Sequence, residues 1–188
     1  LTAYNILSTY VKSQNPSNRI FIVHRLDRDT SGLMMFARSE QVQSNLQKDW
    51  KHNVTARIYV TLVEGAVTEP EGVVKSYIYE SKSLMMHSTM DPRKGDLAIT
   101  RFRLLKSGSE YSLLEVTLET GKKNQIRLHM QEKGHSIAGD KKYGATSNPI
   151  GRLGLHASVL AFIHPVTGKE MRFESKVPAK FRRMVKMD

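Results

Sequence analysis

The chain has 188 residues, with Lys+Arg 29 against Asp+Glu 18, a net charge of +11 and an isoelectric point near 9.9. That length holds one domain with a substantial core, and the positive excess points to a polyanion, nucleic acid ahead of membrane, since no run is apolar and long enough to span a bilayer. Zero cysteines exclude disulfides, thiolate catalysis and cysteine zinc sites.

Leu1-Thr2-Ala3 runs straight into a helical pattern with no signal-peptide features, so the expected compartment is the cytoplasm. Thr2 caps a predicted helix whose apolar positions Ala3, Ile6, Leu7, Tyr10 and Val11 follow the helical period, and Asn15-Pro16-Ser17-Asn18 breaks it. Ile20-Phe21-Ile22-Val23 and Leu33-Met34-Met35-Phe36 read as buried strands. Ser39 opens a second helix with Val42, Leu46 and Trp50 on one face. Residues 57–63 alternate as a strand ending at Glu64-Gly65, and Thr68-Glu69-Pro70-Glu71-Gly72 reads as a turn.

Residues 98–105 and 111–119 form a predicted hairpin through Ser107-Gly108-Ser109-Glu110, closed by Gly121. Residues 125–132 read as a short helix with Ile126, Leu128 and Met130 inward and Gly134 at its end. Strands follow at 155–163 and 170–173, with Pro165 and Gly168 between. Strand signals outnumber helices and most neighbours read as antiparallel. The expected fold is α+β, one domain on a mixed, mainly antiparallel sheet with flanking helices.

Between the two apolar runs lies His24-Arg25-Leu26-Asp27-Arg28-Asp29-Thr30-Ser31-Gly32. A core rarely carries this much charge unused, because an unpaired buried carboxylate costs several kcal/mol, order of magnitude. Residue types and spacing leave two readings level: an ion-paired turn, or an acid kept ionised by Arg25 for nucleophilic or electrostatic work. Asp29 is the competing acid. Arg57 and Tyr59 share a strand face, where an inward tyrosine is usually plain core. Gly121-Lys122-Lys123-Asn124-Gln125-Ile126-Arg127-Leu128-His129 is a glycine turn opening a donor-rich helix, either a phosphate-facing start or a solvated basic face. The seven histidines show no zinc-ligand spacing, and no phosphate loop or Gly-x-Ser-x-Gly elbow occurs. His-Arg-Leu-Asp matches a kinase catalytic loop only superficially, since the other kinase motifs are missing.

Together these blocks resemble the RluA-type pseudouridine synthases. Residues 24–32 meet that family's HRLDxxTSG signature in full. Arg57-Ile58-Tyr59-Val60 through Gly65 is similar to its KxYxAxVxG segment, and Thr120-Gly121 through His129 to its TGRxHQ[IL]RVH block. Gly134-His135-Ser136-Ile137-Ala138-Gly139-Asp140, Tyr143-Gly144, Leu155-His156-Ala157 and His164-Pro165 follow in family order.

The resemblance implies a pseudouridine synthase fold and an isomerase that converts uridine to pseudouridine in ribosomal or transfer RNA. Asp27 would attack the ribose of the target nucleotide. Tyr59 would stack on the base and take the C2′ proton if the reaction runs through a glycal. Arg127 would pair with Asp27, and Arg25 would fill the stack left by the flipped uridine. His24, Arg57, Lys122, Lys123, Asn124, Gln125 and His129 would contact RNA. No cofactor or metal is implied, and a monomer is the simpler expectation. The resemblance implies a catalytic domain over residues 1–188, and the expectation is that it lacks the family's opening strand and any N-terminal S4-like domain, as a fragment of a longer protein would. Arg57 stands in place of the family's usual lysine, and Lys122, Lys123 and Asn124 in place of its Arg-Thr/Ser-His. The competing reading on the same scaffold is an inactive RNA-binding module. A basic DNA-binding or structural protein lacks any recognition helix or zinc finger.

Overall fold

The structure, a computed structural model, describes residues 2–187. Thr2 caps α1 (Ala3–Gln14), its side chain accepting from the Asn5 N–H at 3.2 Å. Of the apolar stripe only Val11 is buried, while Ile6 and Tyr10 are more than half exposed. The two apolar runs then shorten to two-residue strands, β1 (Phe21–Ile22) and β3 (Phe36–Ala37), paired antiparallel as a separate ribbon. The charged segment between them is the cause. It turns on itself, with Thr30 N–H donating to the Asp27 carbonyl at 3.0 Å, and contributes its own strand, β2 (Ser31–Gly32). Val23 and Ala37 still reach the core beside Leu46, Val54, Leu160 and Phe162.

Ser39 caps α2 (Glu40–Lys48), accepting from the Val42 N–H at 3.3 Å, and α3 (Trp50–Asn53) restarts after Asp49. Val42, Leu46 and Trp50 pack on the same cluster, as their spacing implied. The strands β4 (Ala56–Glu64), β5 (Glu71–Glu80), β6 (Met86–Thr89), β7 (Asp96–Ser107) and β8 (Tyr111–Leu118) follow. Then come α4 (Gln125–Glu132), a 3-10 turn at Lys141–Tyr143, β9 (Leu155–Ile163), β10 (Glu170–Glu174) and α5 (Ala179–Met184).

The main sheet has the order β10-β9-β4-β8-β7-β5-β6 with antiparallel neighbours. β2 joins β9 in parallel, Ser31 opposite His156 and Gly32 opposite Ala157. This is the α+β, mainly antiparallel architecture that the pattern implied. β5, β6 and α5 are additions. β5 alternates inward through Val74, Ser76 and Ile78, a weak apolar signal, and β6 has only four residues. The turn expected at 68–72 ends early, since Glu71 and Gly72 already pair with β7. Gly72 is needed there because a Cβ would stand 2.6 Å from the Phe102 ring.

Strand alternation divides the core between two faces. Val63, Val116, Ile126, Met130 and Ile137 pack under α4, whereas Val60, Leu62, Leu113, Phe181 and Val185 pack under α5. Among the described residues no helix is long and apolar enough to cross a membrane.

Candidate active site

A cleft of about 550 Å³ opens on the α4 side of the sheet. Three segments meet there: the loop with Arg25, Asp27 and Thr30, the β4 residues Arg57 and Tyr59, and the stretch from Gly121 to Arg127 that opens α4. β4 changes register against β9 between Ile58 and Tyr59, the kind of bulge that re-aims a side chain beside a site. Asn124 adopts the left-handed conformation, φ 55°, that starts α4. Chain stretches 30 to 100 residues apart in sequence, 27–57 and 27–127, thus converge on one concavity.

Asp27 stands at the wall with its side chain one-third exposed. Arg127 Nη1 lies 3.6 Å from its Oδ2, an ion pair longer than a hydrogen bond. The closer partner of Arg127 is Asp140: Nε and Nη2 donate to its two oxygens at 2.7 Å each. The expected pairing of Arg127 with Asp27 is therefore present but secondary. Burial pulls the Arg127 pKa down, yet the hydrogen bonds and charge of Asp140, with Asp27 adding to them, hold it above the usual arginine value. Arg127 is a fixed cation next to an open carboxylate. Asp140 was not singled out from the sequence, although it closes the Gly134–Asp140 block quoted there.

Tyr59 is half-buried on the cleft wall. Burial pushes its phenol up, with the Asp27 charge adding and the Arg57 charge opposing. The resting tyrosine is thus a neutral ring and hydroxyl, a stacking surface and donor before it is a base. Arg57 lies over Trp50, 6.0 Å to the ring centroid, and burial lowers its pKa while Tyr59 pulls it back. No carboxylate or other acceptor takes its N–H groups among the described residues. A half-buried guanidinium without a counter-ion, lining a cleft, is suited to an anion. Gly121 makes its position possible, because a Cβ there would sit 2.2 Å from Nη1. Arg25 is exposed at the mouth.

Of the residues expected to touch RNA, His24 and His129 lie off the cleft lining, and Gln125 lines it with its polar atoms already bonded inside the protein. His129 has no exposed surface, and its ring nitrogens meet Thr100 Oγ1 at 2.7 Å and Ser76 Oγ at 3.0 Å. It pins α4 to β5 and β7, and burial lowers its pKa to about 4. Gln125 uses every polar atom internally: Oε1 accepts from Thr120 and Lys122, while Nε2 donates to Ile99 and Thr100. It shapes the turn at the cleft floor. His24 accepts the Met35 N–H at 2.9 Å and packs on Trp50, behind the wall, its pKa lowered to about 4 by burial and then by Arg57. Spacing over the two turns of α4 does not separate inward polar groups from outward ones. Of the remaining expected contacts, Asn124 donates to Tyr143 Oη at 3.0 Å. Lys122 pairs with Asp96 at 2.9 Å and Lys123 with Glu80, and both lysines line the cleft.

Asp27, Tyr59, Arg57 and Arg127 offer one open carboxylate, one half-buried ring, one anion-seeking cation and one fixed cation. That set can hold a planar base, bind a phosphate and attack an electrophilic carbon. Thr30 adds a buried hydroxyl that has no partner among the described residues.

A family profile described as RNA pseudouridylate synthase matches residues 3–132. Among curated proteins, the chain is 36% identical over 167 residues to the Bacillus subtilis uncharacterized RNA pseudouridine synthase YjbO, covering 89% of this chain and 59% of that protein. It is 32% identical over 175 residues to the ribosomal large subunit pseudouridine synthase D of Zymomonas mobilis, covering 88% and 55%. The chain thus spans little more than half the length of these relatives. Among solved structures, that of human RNA pseudouridylate synthase domain containing 4 superposes with a TM-score of 0.80 at 21% identity, covering 100% of this chain and 85% of that one, a likeness of fold.

Proposed function

The chain belongs to the RNA pseudouridylate synthase family, and on that premise we propose that it isomerises uridine to pseudouridine in RNA, with Asp27 as the nucleophile. The observation that supports this most is the open Asp27 carboxylate beside Arg127 in a cleft that also holds Tyr59. A carboxylate attacks ribose C1′ as the C1′–N1 bond breaks, and the uracil anion leaves. The base rotates, C5 bonds to C1′ and Asp27 is released. C5 then loses its proton and N1 gains one, so nothing is consumed.

Each neighbour has a part in that sequence. Arg127, fixed by Asp140, lies beside the Asp27 carboxylate and aims it. Tyr59 stacks on the base and caps the pocket, and its neutral resting state favours that task over proton removal. A base reaches such a cleft only by leaving its helix, at an unstacking cost of a few kcal/mol, order of magnitude. Arg25 at the mouth fills the gap left behind, while Arg57, Lys122 and Lys123 take phosphates. Ribosomal RNA is the favoured substrate, because relatives in Zymomonas mobilis and Neisseria meningitidis bear the name ribosomal large subunit pseudouridine synthase D. The working unit is read as a cytoplasmic monomer, since one chain supplies the whole cleft. Incubating the chain with unmodified ribosomal and transfer RNA and mapping pseudouridine by sequence position tests the assignment. New pseudouridine at defined uridines supports it, and none in either pool refutes it.

A further inference from the structure

Asp140 does not line the cleft and has no step in the reaction above, yet its side chain is entirely buried. Both its oxygens are spent on Arg127, at 2.7 Å to Nε and 2.7 Å to Nη2, and Oδ1 also lies 3.3 Å from the Tyr143 N–H. Nη1 is the edge of the guanidinium left over. It lies 3.4 Å from Asn124 Oδ1 and 3.6 Å from Asp27 Oδ2. The Tyr143 ring, 5.0 Å from the guanidinium carbon, covers its face. Two parallel N–H···O bonds fix both the position and the plane of an arginine. A buried ion pair contributes little net stability against an apolar replacement, so this one is better explained by placement.

We propose that Asp140 is the positioning residue that holds Arg127 in its working place beside Asp27, an inference that rests on the nucleophilic reading of Asp27. The geometry gives the reason. A guanidinium free to choose would close its fork on Asp27 and occupy the oxygens that must reach the ribose. Held by Asp140, it presents a single N–H edge 3.6 Å from Asp27 Oδ2, which leaves an Asp27 oxygen uncommitted. Tyr143 and Asn124 complete the clamp from the segments flanking α4.

The test has two arms. With an RNA whose isomerisation by the wild-type chain has been mapped, Asp140→Asn lowers the single-turnover rate on the order of 100-fold, while RNA affinity stays within about threefold. A folded Asp140→Asn protein that turns over within about threefold of wild type overturns the proposal, as does an equal loss of rate and affinity. The second arm needs neither turnover nor an Asp140 variant. The Arg127 Nε–H resonance, followed by side-chain NMR, stays in place and protected from hydrogen exchange in Asp27→Asn, because its acceptor is Asp140. Loss of that protection overturns the proposal. If the wild-type chain isomerises no RNA, the functional reading fails, and the resonance still decides what holds Arg127.

Discussion

His156 and Ser31 meet side chain to side chain, Nδ1 to Oγ at 2.8 Å, and this contact fastens the loop carrying Asp27 to β9. The other ring nitrogen of His156 meets Ser175 Oγ at 3.1 Å, so one buried imidazole ties the loop to the chain beyond β10. Gly32 completes the seam. Its φ is +114°, and a Cβ there would stand 2.2 Å from the Ala157 carbonyl oxygen. Gly32→Ala therefore strains the backbone and collides with it, at an expected cost above about 2 kcal/mol in urea unfolding. His156→Ala costs about 1–3 kcal/mol through its orphaned serines and slows isomerisation more than it weakens RNA binding. Unchanged rates in folded His156→Ala would show that the seam does not place Asp27.

Tyr59→Phe removes only the hydroxyl and keeps the stacking ring. Its RNA affinity is expected to stay near wild type. With the ring serving as a stacking surface, the single-turnover rate falls by less than about tenfold, whereas a loss of about 10²–10⁴ would assign a proton transfer to the hydroxyl. Because burial holds the phenol above its usual range, the wild-type rate shows no alkaline limb from Tyr59 below pH 10, the ordinary value. Equal losses of rate and affinity would assign Tyr59 to packing alone.

Arg57→Gln removes the half-buried cation that has no carboxylate partner among the described residues. The salt dependence of RNA binding then falls by about 0.7–0.9 in log–log slope, the signature of one lost phosphate contact. Gly121→Ala reaches the same end indirectly, since its methyl group displaces the guanidinium. Filter binding at several salt concentrations reads both variants. An unaltered slope in Arg57→Gln would remove Arg57 from the RNA interface.

Three histidines make the fold sensitive to acid. His24 and His129 have pKa values lowered to about 4, and burial together with Arg152 also lowers His156. Between the unfolded value near 6.5 and those folded values, the unfolded chain takes up protons that the folded chain refuses. Stability is therefore complete above about pH 6.5 and declines as pH falls toward 4. For His129, which has no exposed surface, the loss at pH 4 is on the order of 3 kcal/mol. Denaturant midpoints at pH 7 and pH 5 measure it, and His129→Gln reduces the difference. A midpoint that does not move over that interval contradicts the assignment of these rings as buried and neutral.

Much of the cleft was legible in the sequence because its parts are local. The segment 24–32 stands out by charge between two apolar runs, β4 by alternation, and α4 by its glycine turn and apolar spacing. What stayed hidden depends on tertiary partners. His129 and Gln125 sit among donors that look like an RNA-facing helix start, yet Thr100 and Ser76 on β5 and β7 turn them inward. Asp140 looks like a turn acid until Arg127 is folded against it. β5 and β6 lack a strong pattern because Ser76 replaces an apolar residue inside and β6 lies at the sheet edge. The apolar spacing of α1 does form a helix, although most of its stripe stays exposed.

The central claim is that Asp27 performs the chemistry. Asp27→Asn keeps the size of the side chain and removes the nucleophilic charge, so it separates chemistry from binding. The measurement is the amount of pseudouridine formed at a mapped uridine by wild type and Asp27→Asn, with RNA affinity recorded on the same samples. The account predicts no detectable pseudouridine from Asp27→Asn alongside near wild-type binding. Wild-type turnover by that variant would contradict it.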